Sequence, residues 1–352
     1  MKKLITFTIV WLTVITVAHM TLNVNWAVLL NDRLPESKRK LNVAYIPVTC
    51  HLACPVTDYI SAYSESGQIF VPRMFQGFPE IKEALMANKM QAAFMVAPMA
   101  VALKAQGVPV KIVYLGHRYG SAVVVQKKGP VHKFSDLRGK TVAIPSRFSD
   151  ERLILFKAAK DNGVDMKDVH LVEMAPPDVA GALAAGAIDG FSMGEPFPSQ
   201  SEMSGYGRVL FHARQYWPDY MSCVLVVRED IIDKRPDAVQ VLVDGVARSG
   251  LWLEDGNRRR AHREHAADFV GRYYYRQDPR LLRWALLNPA DRVMYEPLSP
   301  RKKDFELVVS LMRETGVLDH YIPFEDYVDT RFAEGSMGQT AWRYEAGATK
   351  AW

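Results

Sequence analysis

The sequence predicts an exported α/β protein of two similar lobes, each built on a mostly parallel sheet. Three observations carry that expectation. Strand and helix patterns alternate with short connections from residue 41, the alternation restarts near residue 134, and a long uncharged apolar segment stands at the N-terminus. The 352 residues are 49% hydrophobic and 24% charged, ordinary globular composition for two domains or one large one. A net charge of +5, spread over 44 basic and 39 acidic residues, does not mark nucleic acid as a partner.

At the N-terminus, Lys2 and Lys3 precede twenty-seven uncharged residues, 4–30. This is the pattern of a segment inserted with its N-terminus in the cytoplasm, and it is long enough to span a bilayer. Cleavage after Ala18 would leave "HMTLNVNWAVLL" as an exposed apolar arm. Residues 1–40 therefore read as an uncleaved anchor with a linker, in preference to a removed signal peptide. Under either reading the body is exported.

The elements follow in order. "LNVAYIP" (41–47) alternates and is rich in β-formers, so it reads as a strand. "DYISAYSESG" is a helix closed by glycine, and "IFVPRMF" a second strand. "GFPEIKEALMANKM" is a helix with Ile81, Leu85 and Met86 on one face. "QAAFMVAP" is a buried strand, "MAVALKAQG" a helix, and "VKIVYLG" and "SAVVVQKKG" are strands. The second unit runs through "FSDLRGKTVAIP", "DERLILFKAAKDNG", "VHLVEM", "PPDVAGALAAG", "IDGFSMGEP", "RVLFHA" and "CVLVVRED". After residue 229 the chain is helical to about 320. The basic run "NRRRAHREH" (257–265) reads as a solvated helix face, and its His262 and His265 lack the spacing of a zinc-enzyme helix. The expected boundaries are 41–126 and 229–332 for the first lobe, 127–228 for the second, and 333–352 for a loose Gly/Ala/Ser/Thr-rich tail.

In open α/β sheets, ligands bind outside the carboxyl ends of the strands. The segments to inspect are "VTCHLAC", "FQGFPE", "APM", "HRYGS", "PSRFSDE" and "GEPFPS". Helix N-termini after strands offer free N–H groups and a positive dipole end. The first of these segments concentrates chemistry: Cys50, His51 and Cys54 lie within five residues, and the chain has only three cysteines. Export permits a Cys50–Cys54 disulfide if the Cα separation allows it. Structural zinc wants four ligands and finds no second cysteine pair, and a redox pair commonly has a two-residue spacer where this one has three. Reduced thiols lining the cleft are the remaining alternative. No metal is assigned.

With these segments in hand, the chain resembles a known family. "GFPEIKEALMANKMQAAFMVAPMAVALKAQGVPVKIV", "FSDLRGKTVAIPSRFSDERLILFKAAKDNGVD", "APPDVAGALAAGAIDGFSMGEPFPSQSEMSGYGRV" and "WPDYMSCVLVVREDIIDKRPDAV" resemble the nitrate-, bicarbonate-, sulfonate- and taurine-binding proteins of ABC importers. The resemblance covers roughly residues 41–320. It implies a type II periplasmic-binding-protein fold, two lobes joined by two crossing strands. It further implies solute binding without catalysis or cofactor, and delivery to a permease and its ATPase from an extracytoplasmic position, where the N-terminal segment, read on its own residues, would tether the chain to the membrane.

The cleft residues it implies are Thr49, Cys50, His51, Phe78, Ala97, Ser121, Phe148, Ser149, Gly194, Glu195 and Tyr220. Against the nitrate binders, Phe78 replaces a tryptophan, Ser121 a glutamine and Tyr220 a basic residue, and "SRFSDE" lacks the loop histidine. Glu195 adds negative charge, with Asp219 a candidate second acid. That mixture suits a flat organic solute with hydrogen-bonding edges, such as a pyrimidine, as well as a small anion. A pyrimidine-precursor enzyme on the same fold and a membrane-anchored sensor are the alternative functions.

Overall fold

The computed structural model describes residues 2–24, 26–64 and 67–343. The chain divides into two units, 1–40 and 41–352. The first unit holds helices α1 (Lys2–Asn23) and α2 (Trp26–Arg33). The stretch Lys2–Leu22 has a mean hydropathy of 1.8, and its roughly 30 Å of helix matches a hydrocarbon core. Thr6, Thr8, Thr13 and Thr21 each donate to the carbonyl one turn back at 2.9–3.0 Å, which hides the hydroxyls from an apolar environment. The helix is compatible with a signal or an anchor. Asn31 closes this unit by bonding both the amide and the carbonyl of Lys40, at 2.7 and 3.0 Å.

In the second unit β1 (Asn42–Tyr45), α3 (Ala53–Ala62), β2 (Val71–Met74), α4 (Phe78–Met86), β3 (Ala92–Val96), α5 (Ala97–Ala105) and β4 (Val110–Leu115) alternate as expected. A short β5 (Arg118–Tyr119) leads to β6 (Ser121–Gln126), β7 (Thr141–Ile144), α6 (Asp150–Asp161), β8 (His170–Glu173), α7 (Val179–Ala184), β9 (Gly190–Gly194), α8 (Phe197–Met203), β10 (Gly207–His212) and β11 (Cys223–Arg228). Then come α9 (Glu229–Lys234), α10 (Pro236–Leu253), α11 (Arg259–Phe269), a π-helical turn Val270–Tyr275, α12 (Pro279–Leu287), β12 (Val293–Met294), α13 (Lys302–Glu314), α14 (Phe324–Tyr327) and α15 (Arg331–Gly335).

The two five-stranded sheets share one plan. The first runs β2-β1-β3-β11-β4 and the second β10-β6-β9-β7-β8. Each has one antiparallel member, β11 in the first and β6 in the second. In each case the reversed strand is the one that has just crossed from the other lobe. This corrects the expected boundaries: residues 121–126 belong to the second sheet and 223–228 to the first. Chain order alone could not show it, because pairing partners lie far apart in sequence. β1 and β3 are buried along their whole length, as parallel strands covered on both faces must be.

The crossings meet. Arg118 and Met221 form an antiparallel bridge, and the Tyr119 amide donates to the Tyr220 carbonyl at 3.1 Å. β12 pairs antiparallel with β5 on the other side. Arg118 anchors this junction through a buried ion pair with Asp304 at 2.8 Å and a bond to the Pro297 carbonyl at 2.7 Å.

Three further expectations change. Ile81 and Leu85 are buried, but Met86 is 50% exposed, because one step past Leu85 turns it about 100° round the helix. The basic run on α11 is not simply solvated: Arg263 is fully buried and donates to the carbonyls of Leu253, Leu286, Ala290 and Val293 and to Glu254. His262 of the same run stacks on Trp252, ring centroids 4.3 Å apart. The described part of the tail, to 343, docks on α10. Trp342 Nε1 reaches the Gly245 carbonyl at 3.3 Å and Ser249 Oγ at 3.2 Å, and Arg248 holds Gln339 at 2.9 Å. Residues 344–352 lie outside the described residues.

Candidate functional site

The first wall of the cleft is the turn after β1, where Thr49–His51 form one turn of 3-10 helix. Two tyrosines from the C-terminal helical region fix it. Tyr275 donates to the Val48 carbonyl and Tyr295 to the Thr49 carbonyl, both at 2.8 Å. His51 Nδ1 accepts the Ile46 amide at 2.8 Å, so the neutral ring carries its proton on Nε2. That nitrogen is buried and has no partner. Phe78 and Phe94 flank the ring at 6.0 and 5.7 Å. Burial, and then the neighbouring His117, hold His51 well below the usual imidazole range.

The three cysteines are free and buried, so of the two alternatives left open, a Cys50–Cys54 bridge and reduced thiols, the structure has the reduced thiols. Cys54 lies inside α3 with Asp58 as its charged neighbour. Cys50 instead meets Cys223 at the start of β11. One ligand atom each of Cys50, His51 and Cys223 lies within 4.8 Å of the others. Burial raises both thiols above their ordinary value, that of Cys223 strongly.

The second wall is the N-terminus of α6. Ser149 caps it, its Oγ accepting the Arg152 amide at 3.3 Å. Acids in a first helical turn complement the dipole and commonly face water, but Asp150 and Glu151 are 0% and 3% exposed. Glu151 Oε1 accepts from Ser121 Oγ at 3.1 Å, and Ser121 accepts from the Tyr220 hydroxyl at 3.0 Å. A Cβ on Gly194 would stand in ordinary van der Waals contact with the same Oε1, at 3.7 Å, which places Gly194 beside this carboxylate. Glu151 Oε2 and both oxygens of Asp150 have no well-formed hydrogen bond, although Ser149 and the Ala97 amide stand near the two carboxyls and help hold their charge. Among the described residues no lysine or arginine pairs with either acid. Burial pushes both carboxyls up, and for Asp150 the charges of Glu151 and Cys223 add to it. Among the groups that act on the Asp150 carboxyl are Cys223 and the Ala97 amide, both of the first lobe.

The lobes are shut on each other. Thr49 donates from its amide and its hydroxyl to the Glu195 carbonyl, at 2.9 and 3.1 Å. The Glu195 side chain, expected to contact ligand, is taken up otherwise: Arg292 Nη1 donates to Oε1 at 2.8 Å and the Ser199 amide to Oε2 at 3.1 Å. Arg292 comes from the strap before β12, ninety-seven residues away, which is why local reading missed it. The Ala97 amide, expected to be free for an anion, donates to the Ser222 carbonyl at 2.9 Å. Phe148 sits half-buried beside exposed Arg147, 5.0 Å from its guanidinium, and Asp219 offers its carbonyl to Arg118 and its carboxylate to Lys303. The structure thus brings Cys50, His51, Ser121, Gly194 and Tyr220 together with three residues not singled out, Asp150, Glu151 and Cys223. The two acids stood in the quoted "PSRFSDE", but their helix-start position masked them.

Comparison with known proteins agrees with this architecture. Residues 34–271 match the NMT1-like family profile. The taurine-binding periplasmic protein of Escherichia coli (strain K12) is 29% identical over 201 residues, covering 54% of this chain and 62% of that protein. The chain spans between 37% and 62% of the first curated relatives it matches. The ligand-binding component of an ABC-type import system from Staphylococcus aureus, solved with zinc bound, superposes with a TM-score of 0.74 at 22% identity, over 84% of this chain and 97% of that one. The periplasmic nitrate-binding protein NrtA from Synechocystis PCC 6803 gives 0.69 at 16%, over 84% and 87%. These neighbours share the periplasmic-binding-protein fold.

Proposed function

Because the chain belongs to the NMT1-like family, we propose that it is the solute-binding component of an ABC-type importer, delivering a small solute to a permease and its ATPase from the outer face of a membrane. Helix α1 would keep it there if uncleaved. The observation that supports a solute class is the acid pair of α6. Three carboxylate oxygens of Asp150 and Glu151 are buried and unmatched, and a buried acceptor left without a donor is costly. A solute that completes this wall supplies N–H donors or positive charge. A cation or N–H donor would return these raised-pKa acids to their ionised form, and against that form nitrate or a bare sulfonate would set acceptor against acceptor. Closure then follows from affinity: the solute binds the shut form better and shifts the population toward it.

The site gives little support to an enzyme. A nucleophilic cysteine needs a depressed pKa or an adjacent base. Here burial raises the Cys50 thiol, and His51 Nδ1 is occupied by the Ile46 amide.

A thermal-shift series on the full chain tests the reading. Ligands at a hundredfold excess over Kd stabilise by about 2.7 kcal/mol. Aminopyrimidines, amidinium or ammonium compounds are expected to raise the melting temperature, and nitrate, bicarbonate and simple alkanesulfonates to leave it unchanged. Stabilisation by those anions alone would overturn the solute class.

A further inference from the structure

We propose that Cys50 and Cys223, with the Asp150 carboxylate, form a binding site for a thiophilic divalent cation of the Zn(II) type in the closed cleft. The inference deepens the reading of the cleft as a site for a positively charged solute, and rests on it.

The two thiols meet the distance requirement. Two sulfurs bound to one tetrahedral zinc stand roughly 3.8 Å apart, and the ligand atoms of Cys50, His51 and Cys223 lie within 4.8 Å of one another. The thiols come from separate elements, the turn after β1 and the start of β11. Gly116 keeps those backbones close: a Cβ there would stand 2.8 Å from the Cys50 carbonyl oxygen and 3.2 Å from that of Cys223. Asp150, from the opposite lobe, brings two unmatched buried oxygens.

The donor set is mixed, two soft sulfurs and one hard carboxylate, which suits zinc better than calcium or magnesium. His51 is no ligand in this arrangement. Its Nδ1 accepts the Ile46 amide, so in the neutral ring Nε2 keeps its proton and offers no lone pair to a metal. Three protein ligands leave a fourth position for water or a second solute atom, the pattern of an exchangeable site. Binding displaces the protons of both thiols, so affinity rises with pH. Because one ligand comes from the far lobe, the ion also holds the lobes closed.

The test is a Co(II) titration of the full chain in mild detergent with a phosphine reductant, followed by sulfur-to-cobalt charge-transfer absorption in the near ultraviolet. One Co(II) per chain is expected, displaced by Zn(II). The band should vanish in Cys50→Ser and in Cys223→Ser and persist in Cys54→Ser. Asp150→Asn, which leaves both thiols in place, should weaken binding by at least about tenfold. It provides the check if the serine variants fail to fold. Absence of the band in reduced wild-type protein, or a band indifferent to Cys50, Cys223 and Asp150, overturns the proposal. So does a metal-free Cys50–Cys223 disulfide in the chain as isolated. If organic cations stabilise the protein while Co(II) and Zn(II) do not bind, the metal site falls and the cleft reading stands. If neither class binds, both fall.

Discussion

At the scale of single residues, function and stability are opposed at Asp150. Its carboxyl is fully buried with neither oxygen matched, a cost the empty protein bears alone. Asp150→Asn should therefore stabilise the ligand-free chain by about 1 kcal/mol or more while weakening solute binding, read by denaturant midpoint and by calorimetry. A variant less stable than wild type and unchanged in binding would remove Asp150 from the site. His212 provides a separate check by pH. Burial first, then Arg292 and Arg214 against the weaker pull of Glu202 and Asp291, lowers it to about 4 from an ordinary value of 6.5. A group whose folded value is depressed in this way gains its proton more readily when unfolded. Its contribution to stability is thus full above pH 6.5 and is lost as pH falls toward 4. In His212→Gln the melting temperature should fall less steeply across that window. Identical slopes would refute the assignment.

At the scale of elements, the crossing segments join the two lobes. Gly120 has φ +80, and a Cβ there would meet His117 Nε2 at 2.8 Å. Gly120→Ala should cost about 1–2 kcal/mol from backbone conformation alone, more if His117 cannot give way, and an unfolding midpoint within error of wild type would contradict this. The strap before β12 acts as a clasp, since Arg292 reaches Glu195, Ser199 and Glu202 at 2.8–3.0 Å. Arg292→Met leaves a buried carboxylate unpaired and should destabilise by about 3–5 kcal/mol, with Glu195→Gln restoring part of the loss. Failure of that second change to rescue would mean that packing, not charge, dominates the clasp. These elements also show what sequence could and could not reveal. Strands and helices were legible because hydrophobic periodicity is local. The sheet membership of β6 and β11 was not, since pairing across the crossings is a long-range choice. Glu195 was placed in the right turn but given the wrong neighbour. The cysteines were recognised as cleft residues, yet proximity in sequence suggested Cys54 as the partner where the fold supplies Cys223. Arg263 looked like surface charge because nothing near it in sequence announces four carbonyls waiting inside.

At the scale of the whole molecule, two lobes of one topology close on a wall of acids and a wall of thiols. The family is NMT1-like and the fold is that of periplasmic binding proteins. On the proposed reading, the site offers unmatched acceptors where an anion binder needs donors. The most direct measurement is identification of whatever the native chain carries. The full chain, expressed with export and purified without added ligand, is denatured, and the released species are analysed by mass spectrometry and elemental analysis. The account predicts a stoichiometric cation or N–H-rich solute, released in lower yield from Asp150→Asn. Stoichiometric nitrate, bicarbonate or a simple sulfonate, retained equally by Asp150→Asn, would contradict it.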